Sequence, residues 1–393
     1  MTTYVNASCQ CELNAFRVAF DTASLPISNE ICHCSTCRHS SGQMALAHVT
    51  IKGVPLVRAN GLSVHSSRSP NTTTYKTSPD ATRYFCTSCS AQLFWVHHVN
   101  GGDIWNVAVG VLERTEGVVR RTHHIWVGDT LDGGAADHLQ VVAGLRLPRY
   151  KEGEGSEVLP VGWRADRLAC AAENPTTKEQ LKAFCHCGNV SFIITRPSEA
   201  SFAPSAAYPD LLFPYNVSHM SKIINANDEK WWLRPKSSPH PTKYLAGHWH
   251  CVCSRCRLGG GFEIQSWTYV SRANVIEVGS EEPIELVHEA DRPKGLRQYS
   301  SSPGKYREFC STCGATAFWW HANRPDLIAV AIGLLDQGKD GVRAEEWLKW
   351  HKERLSFIEN AKMSSGAVQG LKEGMASESD LELEVASGVI SQN

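Results

Sequence analysis

Fourteen of the chain's fifteen cysteines fall into one pattern that is used twice. The first half carries Cys9 and Cys11, then Cys32, Cys34 and Cys37, then Cys86 and Cys89. The second carries Cys185 and Cys187, then Cys251, Cys253 and Cys256, then Cys310 and Cys313. Each half reads CxC, CxCxxC, CxxC, and Cys170 alone stands outside. A CxC or CxxC turn lets two sulfurs converge on one ion, and two such turns from distant parts of a chain supply a tetrahedral four-thiolate zinc site. The expected closed sites are Cys9, Cys11, Cys86 and Cys89, and again Cys185, Cys187, Cys310 and Cys313. Their expected role is structural, clipping the start of each domain to a segment far along it.

The CxCxxC motifs differ in kind, because three thiolates leave the fourth position of a tetrahedral zinc free. Cys32, Cys34 and Cys37, and Cys251, Cys253 and Cys256, are therefore expected to hold open zinc sites. Three thiolates donate much negative charge and leave a weaker Lewis acid than three imidazoles would, but an external thiol bound there would lose its proton and be held. Thiol chemistry is the natural use. The competing reading closes these sites with a distant histidine, the candidates being His33, His97, His250 and His321, and spacing alone does not decide between the two. Arg38 and Arg257, one residue beyond each motif, suit a carboxylate or a thiolate, or equally a surface ion pair. Trp231 and Trp232 are the aromatic pair to consider for a pocket wall.

The elements that must position these residues also repeat. Phe16 and Phe192 follow the two CxC motifs at the same offset, Gly42 and Gly261 follow the two CxCxxC motifs, and Phe94, Trp95 and His97 match Phe318, Trp319 and His321. Duplication accounts for this better than chance. Ala15 to Phe20, Ile104 to Leu112, Val190 to Thr195 and Leu327 to Leu335 are short and β-branched or alternating, which predicts strands. Residues 345 to 362, with Leu348, Leu355 and Ile358 near helical spacing, predict one helix. The expected fold is mainly β, as two tandem compact zinc-binding domains with few short helices.

The expected boundaries are 1–150 for the first domain, 151–178 for a linker rich in Gly, Glu, Pro and Thr, and 179–362 for the second domain. Cys9 to Cys32 spans 23 positions but Cys185 to Cys251 spans 66, which places an insertion in the second domain at about residues 200–245. Six prolines in that stretch predict a loop. From 363 to 393 the chain turns to Ser, Gly and Glu, which reads as a disordered tail.

With 393 residues, 42% hydrophobic and 20% charged, each half can bury a core, and a net charge of -1 argues against a nucleic-acid partner. The N-terminus lacks a basic region followed by an apolar one, and no run of about 18 apolar residues occurs, so the expectation is a cytoplasmic chain with no membrane partner. Reduced thiols there favour metal over a disulfide framework.

The stretches CHCSTCRHSSG (32–42), YFCTSC (84–89) and HIWVG (124–128), with FCHCG (184–188), CVCSRCRLGGG (251–261) and FCSTCG (309–314), resemble the glutathione-dependent formaldehyde-activating enzyme family, which includes centromere protein V-like proteins. The resemblance covers most of residues 1–150 and 180–355. It implies a compact β fold with up to two zinc ions per domain, the three-cysteine one facing substrate. It also implies a small thiol partner such as glutathione, and carbon-sulfur lyase chemistry on S-hydroxymethylglutathione. The alternatives are a non-catalytic tandem zinc module for protein interaction, or a related zinc enzyme acting on a secondary metabolite. One departure stands out: where the family has Gly after CxC and CxxC, the second repeat keeps Gly188 and Gly314 but the first has Glu12 and Ser90. That predicts a looser clip or a rearranged turn in the first repeat.

Overall fold

The structure is a computed structural model that describes residues 1–64, 71–166, 168, 180–207, 225–246, 250–338, 340–352, 354–361 and 365–386. Cys170 lies outside them. The fold is mainly β, with few helices among the described residues.

In the first repeat, strands β1 (Thr2–Ser8), β2 (Ala15–Asp21), β3 (Ile27–Cys32), β4 (His48–Thr50) and β5 (Leu56–Val57) precede a four-strand meander. The meander and its sequel are β6 (Thr72–Ser78), β7 (Ala81–Cys86), β8 (Gln92–Val99), β9 (Gly102–Ala108) and β10 (Val119–Ile125). One sheet runs β1-β2-β5, a second runs β4-β9-β8-β7-β6, and β3 pairs in parallel with β10. Alternation makes the core: Phe16, Val18 and Phe20 point inward from β2, and Phe16 meets Phe94 of β8 edge to face at 4.9 Å. A two-residue hairpin follows, of β11 (Val141–Val142) and β12 (Leu145–Arg146).

The second repeat rebuilds the same frame. Its strands are β13 (Gln180–Phe184), β14 (Ser191–Thr195), β15 (Leu233–Arg234), β16 (Lys243–Ala246), β17 (Trp267–Ser271) and β18 (Val275–Glu277). They continue as β19 (Leu296–Ser302), β20 (Lys305–Cys310), β21 (Thr316–His321), β22 (Leu327–Ala331) and β23 (Leu348–Trp350). The order β17-β22-β21-β20-β19 copies the large sheet of the first repeat, β13-β14-β18 copies the small one, and Phe192 meets Phe318 at 4.8 Å. The insertion contributes β15 and β16 to the edge of the large sheet; its residues 208–224 lie outside the described ones.

Two short helices occupy matching places, α1 (Ser35–Ser41) and α2 (Ser254–Gly260). Each ends on a glycine in the left-handed region, Gly42 at φ 78° and Gly261 at φ 71°, whose N–H returns to Arg38 O and Arg257 O. Each helix docks on the other repeat: α1 against the 3-10 turn Ile332–Leu334, α2 against the turn Val109–Val111. Gly110 N donates to Gly261 O at 2.9 Å, and a Cβ on Gly110 would stand 2.4 Å from the Gly261 carbonyl carbon. A Cβ on Gly333 would stand 2.2 Å from Gln43 O. The two cores share residues accordingly: Val252, Phe262 and Ile264 pack into the first, Met44 into the second.

Several expectations are corrected. Ile104 to Leu112 and Leu327 to Leu335 begin as β9 and β22, but each ends in the 3-10 turn that receives the opposite helix. The described residues of 345–362 do not form the expected helix. Leu348 and Trp350 are buried on either side of exposed Lys349, a period-two pattern, and β23 joins β16 in parallel, followed by a 3-10 turn at Ile358–Asn360.

The stretch read as a linker packs against the first repeat as far as Leu159, which is buried beside Val127 and Ala136. The tail read as disordered carries helix α3 (Ser365–Ala386), which buries Ala367, Val368, Leu371 and Met375 on the first repeat's core. Its glycines are the reason it can lie so close. A Cβ at Gly370 would fall 1.6 Å from Val141 O, and one at Gly374 2.2 Å from His138 O. Trp231 and Trp232, considered above for a pocket wall, are fully buried core residues, and the Trp232 indole N–H donates to Ser201 O.

Candidate metal centres

Four cysteine clusters form among the described residues. Cys9 and Cys11 sit in the turn between β1 and β2, Cys86 ends β7, and Cys89 lies in the hairpin turn before β8, so two turns meet at one end of the repeat. Their sulfurs all lie within 4.8 Å of one another, as do those of Cys185, Cys187, Cys310 and Cys313. Sγ contacts of 3.4 Å for Cys9–Cys11 and 3.5 Å for Cys11–Cys86 are close to the tetrahedral edge of roughly 3.8 Å that zinc–sulfur bonds of ~2.3 Å require. The second repeat gives 3.5 Å for Cys185–Cys187 and 3.4 Å for Cys187–Cys310. Backbone N–H groups of Asn14 and Val190 donate to Cys9 and Cys185 Sγ at 3.4 and 3.3 Å.

The first-repeat clip is neither looser nor rearranged. Glu12 and Ser90 both adopt φ 62°, beside φ 78° and 75° for Gly188 and Gly314, so the same left-handed turn is kept with side chains in place. A non-glycine residue there costs about 1–2 kcal/mol. Binding a structural zinc is worth roughly 10–16 kcal/mol, which carries that cost easily.

The three-cysteine clusters are assembled by a strand end and one helical turn. Cys32 ends β3; Cys34 caps α1, accepting from Cys37 N at 3.3 Å, and Cys37 lies one turn on, so all three sulfurs face one point. Cys253 accepts from Cys256 N at 3.4 Å in the same way, with Cys251 on a bridge to Gln265. Both triads lie within 4.8 Å, and among the described residues no histidine or carboxylate joins either one at that spacing. Cys32, Cys34 and Cys253 are half-buried as residues, whereas Cys37, Cys251 and Cys256 are buried.

The four histidines weighed as a fourth ligand are placed elsewhere. His33 Nε2 pairs with His124 Nδ1 at 2.8 Å, His250 lies between Ser266 Oγ and His138, His97 stacks on Trp95, and His321 accepts from Asn323 N. Neither arginine beside the motifs is at the surface. Arg38 is fully buried and donates through Nε to His33 O. Arg257 donates to the Gly110 and Leu112 carbonyls of the other repeat.

Sequence reasoning missed a second pair of arginines. Arg83 of β7 donates through Nη2 to Cys37 Sγ at 3.1 Å, and Arg307 of β20 through Nη2 to Cys256 Sγ at 3.0 Å. Both are buried, and each stands three residues before the first cysteine of its CxxC pair, a repeated signal the sequence did contain. Hydrogen bonds from Cys32 and Cys34, and then the Arg83 charge, hold Cys37 well below the usual thiol range. Cys256 is held low by Cys251 and Cys253 and then by Arg307. The same crowding pushes Cys32 and Cys251 well above it, reinforced by burial. A triad in which one thiol ionises at the expense of its neighbours lacks a positive centre, and a divalent cation supplies it.

The cysteine donor sets fit metal ions, and soft thiolates in fours and threes are donors that zinc accepts. A surface cleft between the repeats, lined by Leu13, Asn71, Thr87, Ser88, Arg297, Gln298 and Phe309, contains none of the three-cysteine residues.

No curated protein and no solved structure matches the chain. The family described as glutathione-dependent formaldehyde-activating enzyme matches residues 4–129 and 240–352, that is, the whole cysteine pattern of the first repeat, the part of the second from Cys251 to Cys313, and more than half of the chain. On that match, over two regions of the chain, the chain belongs to the glutathione-dependent formaldehyde-activating enzyme family, in two tandem copies.

Proposed function

We propose that this protein is a zinc-dependent carbon-sulfur lyase acting on the thiol adduct of a small aldehyde, S-hydroxymethylglutathione being the substrate that the family suggests. The observation that carries this reading is the triad of thiolates with no fourth protein ligand among the described residues. Cys9, Cys11, Cys86 and Cys89, and Cys185, Cys187, Cys310 and Cys313, are the closed structural sites; Cys32, Cys34 and Cys37, and Cys251, Cys253 and Cys256, are the working ones. Zinc, when bound there, holds an incoming thiol in its deprotonated form. The chain's own residues do the rest. Arg83 and Arg307 offset the excess negative charge of each triad, donating to the buried Cys37 and Cys256.

The reaction balances without a redox partner: R–S–CH2–OH yields R–SH and O=CH2, the C–S bond breaking as the hydroxyl oxygen forms its second bond to carbon and the proton passes to sulfur. Fourteen described cysteines form no disulfide, and no described helix is long and apolar enough to cross a membrane. Both fit a chain working in the reducing cytoplasm.

The test is NMR of the metal-loaded protein with glutathione and isotopically labelled formaldehyde. The expected result is adduct exchange faster than the spontaneous rate, abolished in Cys34→Ser plus Cys253→Ser with the fold retained. Exchange at the spontaneous rate would overturn the lyase reading. Unfolding of the double variant together with inactivity of the wild type would favour a structural zinc module.

A further inference from the structure

The two triads are alike in their cysteines but not in the residue that the neighbouring strand places beside them. Cys32 exchanges backbone hydrogen bonds with Leu46 at 2.8 and 3.0 Å, and Cys251 does so with Gln265 at 2.7 and 3.1 Å. Paired residues of an antiparallel ladder point to one face, and the residue two positions along points the same way. That residue is His48, which opens β4, in the first repeat and Trp267, which opens β17, in the second. Each stands eleven positions past the last cysteine of its motif. Each is therefore a diagonal neighbour, roughly 7 Å away, of the first cysteine of its triad.

Both also meet the arginine that donates to the buried sulfur. The guanidinium carbon of Arg307 lies 5.8 Å from the centre of the Trp267 ring. Burial and then the Arg83 charge push His48 below the usual imidazole range while Cys37 pulls it upward, so the ring feels both the arginine and the sulfur of its cluster.

The chemistry offered at the two positions differs. Trp267 is buried, and an indole N–H donates but does not accept. His48 is half-buried, with its ring 6.3 Å from that of Trp95, and its ring nitrogens make no hydrogen bond among the described residues. A neutral imidazole carries one donor and one acceptor, and here the acceptor is left for a guest of the cluster.

We propose that His48 is a catalytic residue of the Cys32, Cys34 and Cys37 cluster that takes the hydroxyl proton of the bound adduct, and that turnover belongs to this cluster, a role that rests on the lyase reading. The cluster of Cys251, Cys253 and Cys256 then binds thiol without releasing aldehyde, because Trp267 has no acceptor for that proton. In R–S–CH2–OH the O–H electron pair becomes the second C–O bond, the C–S pair leaves with sulfur, and the proton passes to His48. His48 returns it to the departing thiol, so that R–SH and O=CH2 leave and the ring is restored.

Exchange of glutathione with labelled formaldehyde, followed by NMR on the metal-loaded full chain, tests this together with the ring signals of the histidines. His48→Gln is expected to lower the catalysed exchange by about a hundredfold, the lower end for lost acid–base catalysis, with metal content and glutathione affinity unchanged. The second cluster is intact in that variant, so the size of the fall also measures how little it turns over. Added imidazole should restore part of the rate to His48→Gly, which a purely structural histidine would not allow. The His48 ring signal, assigned by its loss in His48→Gln, should shift in an equilibrium mixture of glutathione and formaldehyde and stay in place with glutathione alone. Catalysed exchange undiminished in His48→Gln, or a ring signal indifferent to the adduct, would overturn the role of His48 and leave the lyase reading standing. Exchange at the spontaneous rate in the wild type would remove the lyase reading and this role with it.

Discussion

Arg83 and Arg307, rather than the arginines that the sequence draws attention to, donate to the sulfurs of the three-cysteine clusters. Each points a charged donor at one sulfur of a triad, where a charged hydrogen bond is worth about 1.5–3 kcal/mol. Arg307→Ala is therefore expected to weaken metal affinity at its cluster by roughly tenfold to a hundredfold in competition with a chelator, while Arg307→Lys restores part of it. An unchanged affinity in Arg307→Ala would remove the arginine from the site. The cysteines were legible because spacing alone encodes a chelate. The arginines were hidden because a single Arg on a strand has no spacing to recognise, and only aligning the repeats on CxxC brings Arg83 and Arg307 into register.

Glu12 marks the opposite kind of residue, one where the chain accepts a penalty. Held at φ 62°, it should be replaceable by glycine with a gain of about 1 kcal/mol in unfolding by denaturant, visible most clearly when metal is limiting. A loss of stability in Glu12→Gly would mean that the carboxylate does something in the folded state beyond occupying the turn.

Among elements, the pairing of α1 and α2 with the opposite 3-10 turns decides how the sites are built. Four glycines permit it: Gly42 and Gly261 end the helices, and Gly110 and Gly333 receive them. Gly110→Ala is expected to lower stability by about 2–3 kcal/mol, since its Cβ meets backbone on the other repeat rather than a side chain that can move. Thermal unfolding at an unchanged midpoint would show that the repeats do not rely on this contact.

The strands were legible from alternation, and Gly42 and Gly261 from their shared offset. The docking itself was not, because contacts between segments as far apart as Gly110 and Gly261, or Gln43 and Gly333, leave no local period. Helix α3 was missed for a related reason. Gly366, Gly370 and Gly374 dilute the apolar pattern, and the close approach that explains them exists only in three dimensions. A bulky Gly370→Val should release α3 from Val141 and open residues 365–386 to protease, with both metal clusters of the second repeat unaffected. Continued protection of that segment would contradict the packing.

At the scale of the whole molecule, the two repeats behave as one folded body whose parts are not interchangeable. Buried Asp137 ties three segments together, receiving Arg149 Nη1 at 2.9 Å and Arg343 Nη1 at 3.1 Å. In each repeat the four-cysteine cluster brings a turn of the small sheet to a hairpin of the large one, and the three-cysteine cluster stands where one repeat's helix meets the other's turn. Metal loading and folding should then be linked through protons. Cys37 and Cys256 are held low in the folded chain, so their contribution is present above the range of an unfolded thiol and is lost as pH falls through their depressed values. Acidification with a chelator present is expected to release metal and lower the melting temperature together; a melting temperature indifferent to metal removal would separate the two.

The division of labour among the fourteen cysteines is the claim on which everything else depends, and X-ray absorption at the zinc edge, recorded with and without glutathione, tests it most directly. Four ions per chain sharing fourteen protein sulfurs, with light atoms completing two of the shells, are expected without the thiol. Glutathione should replace those light atoms with sulfur. A sulfur count that glutathione does not change would contradict the open sites, and with them the proposed chemistry.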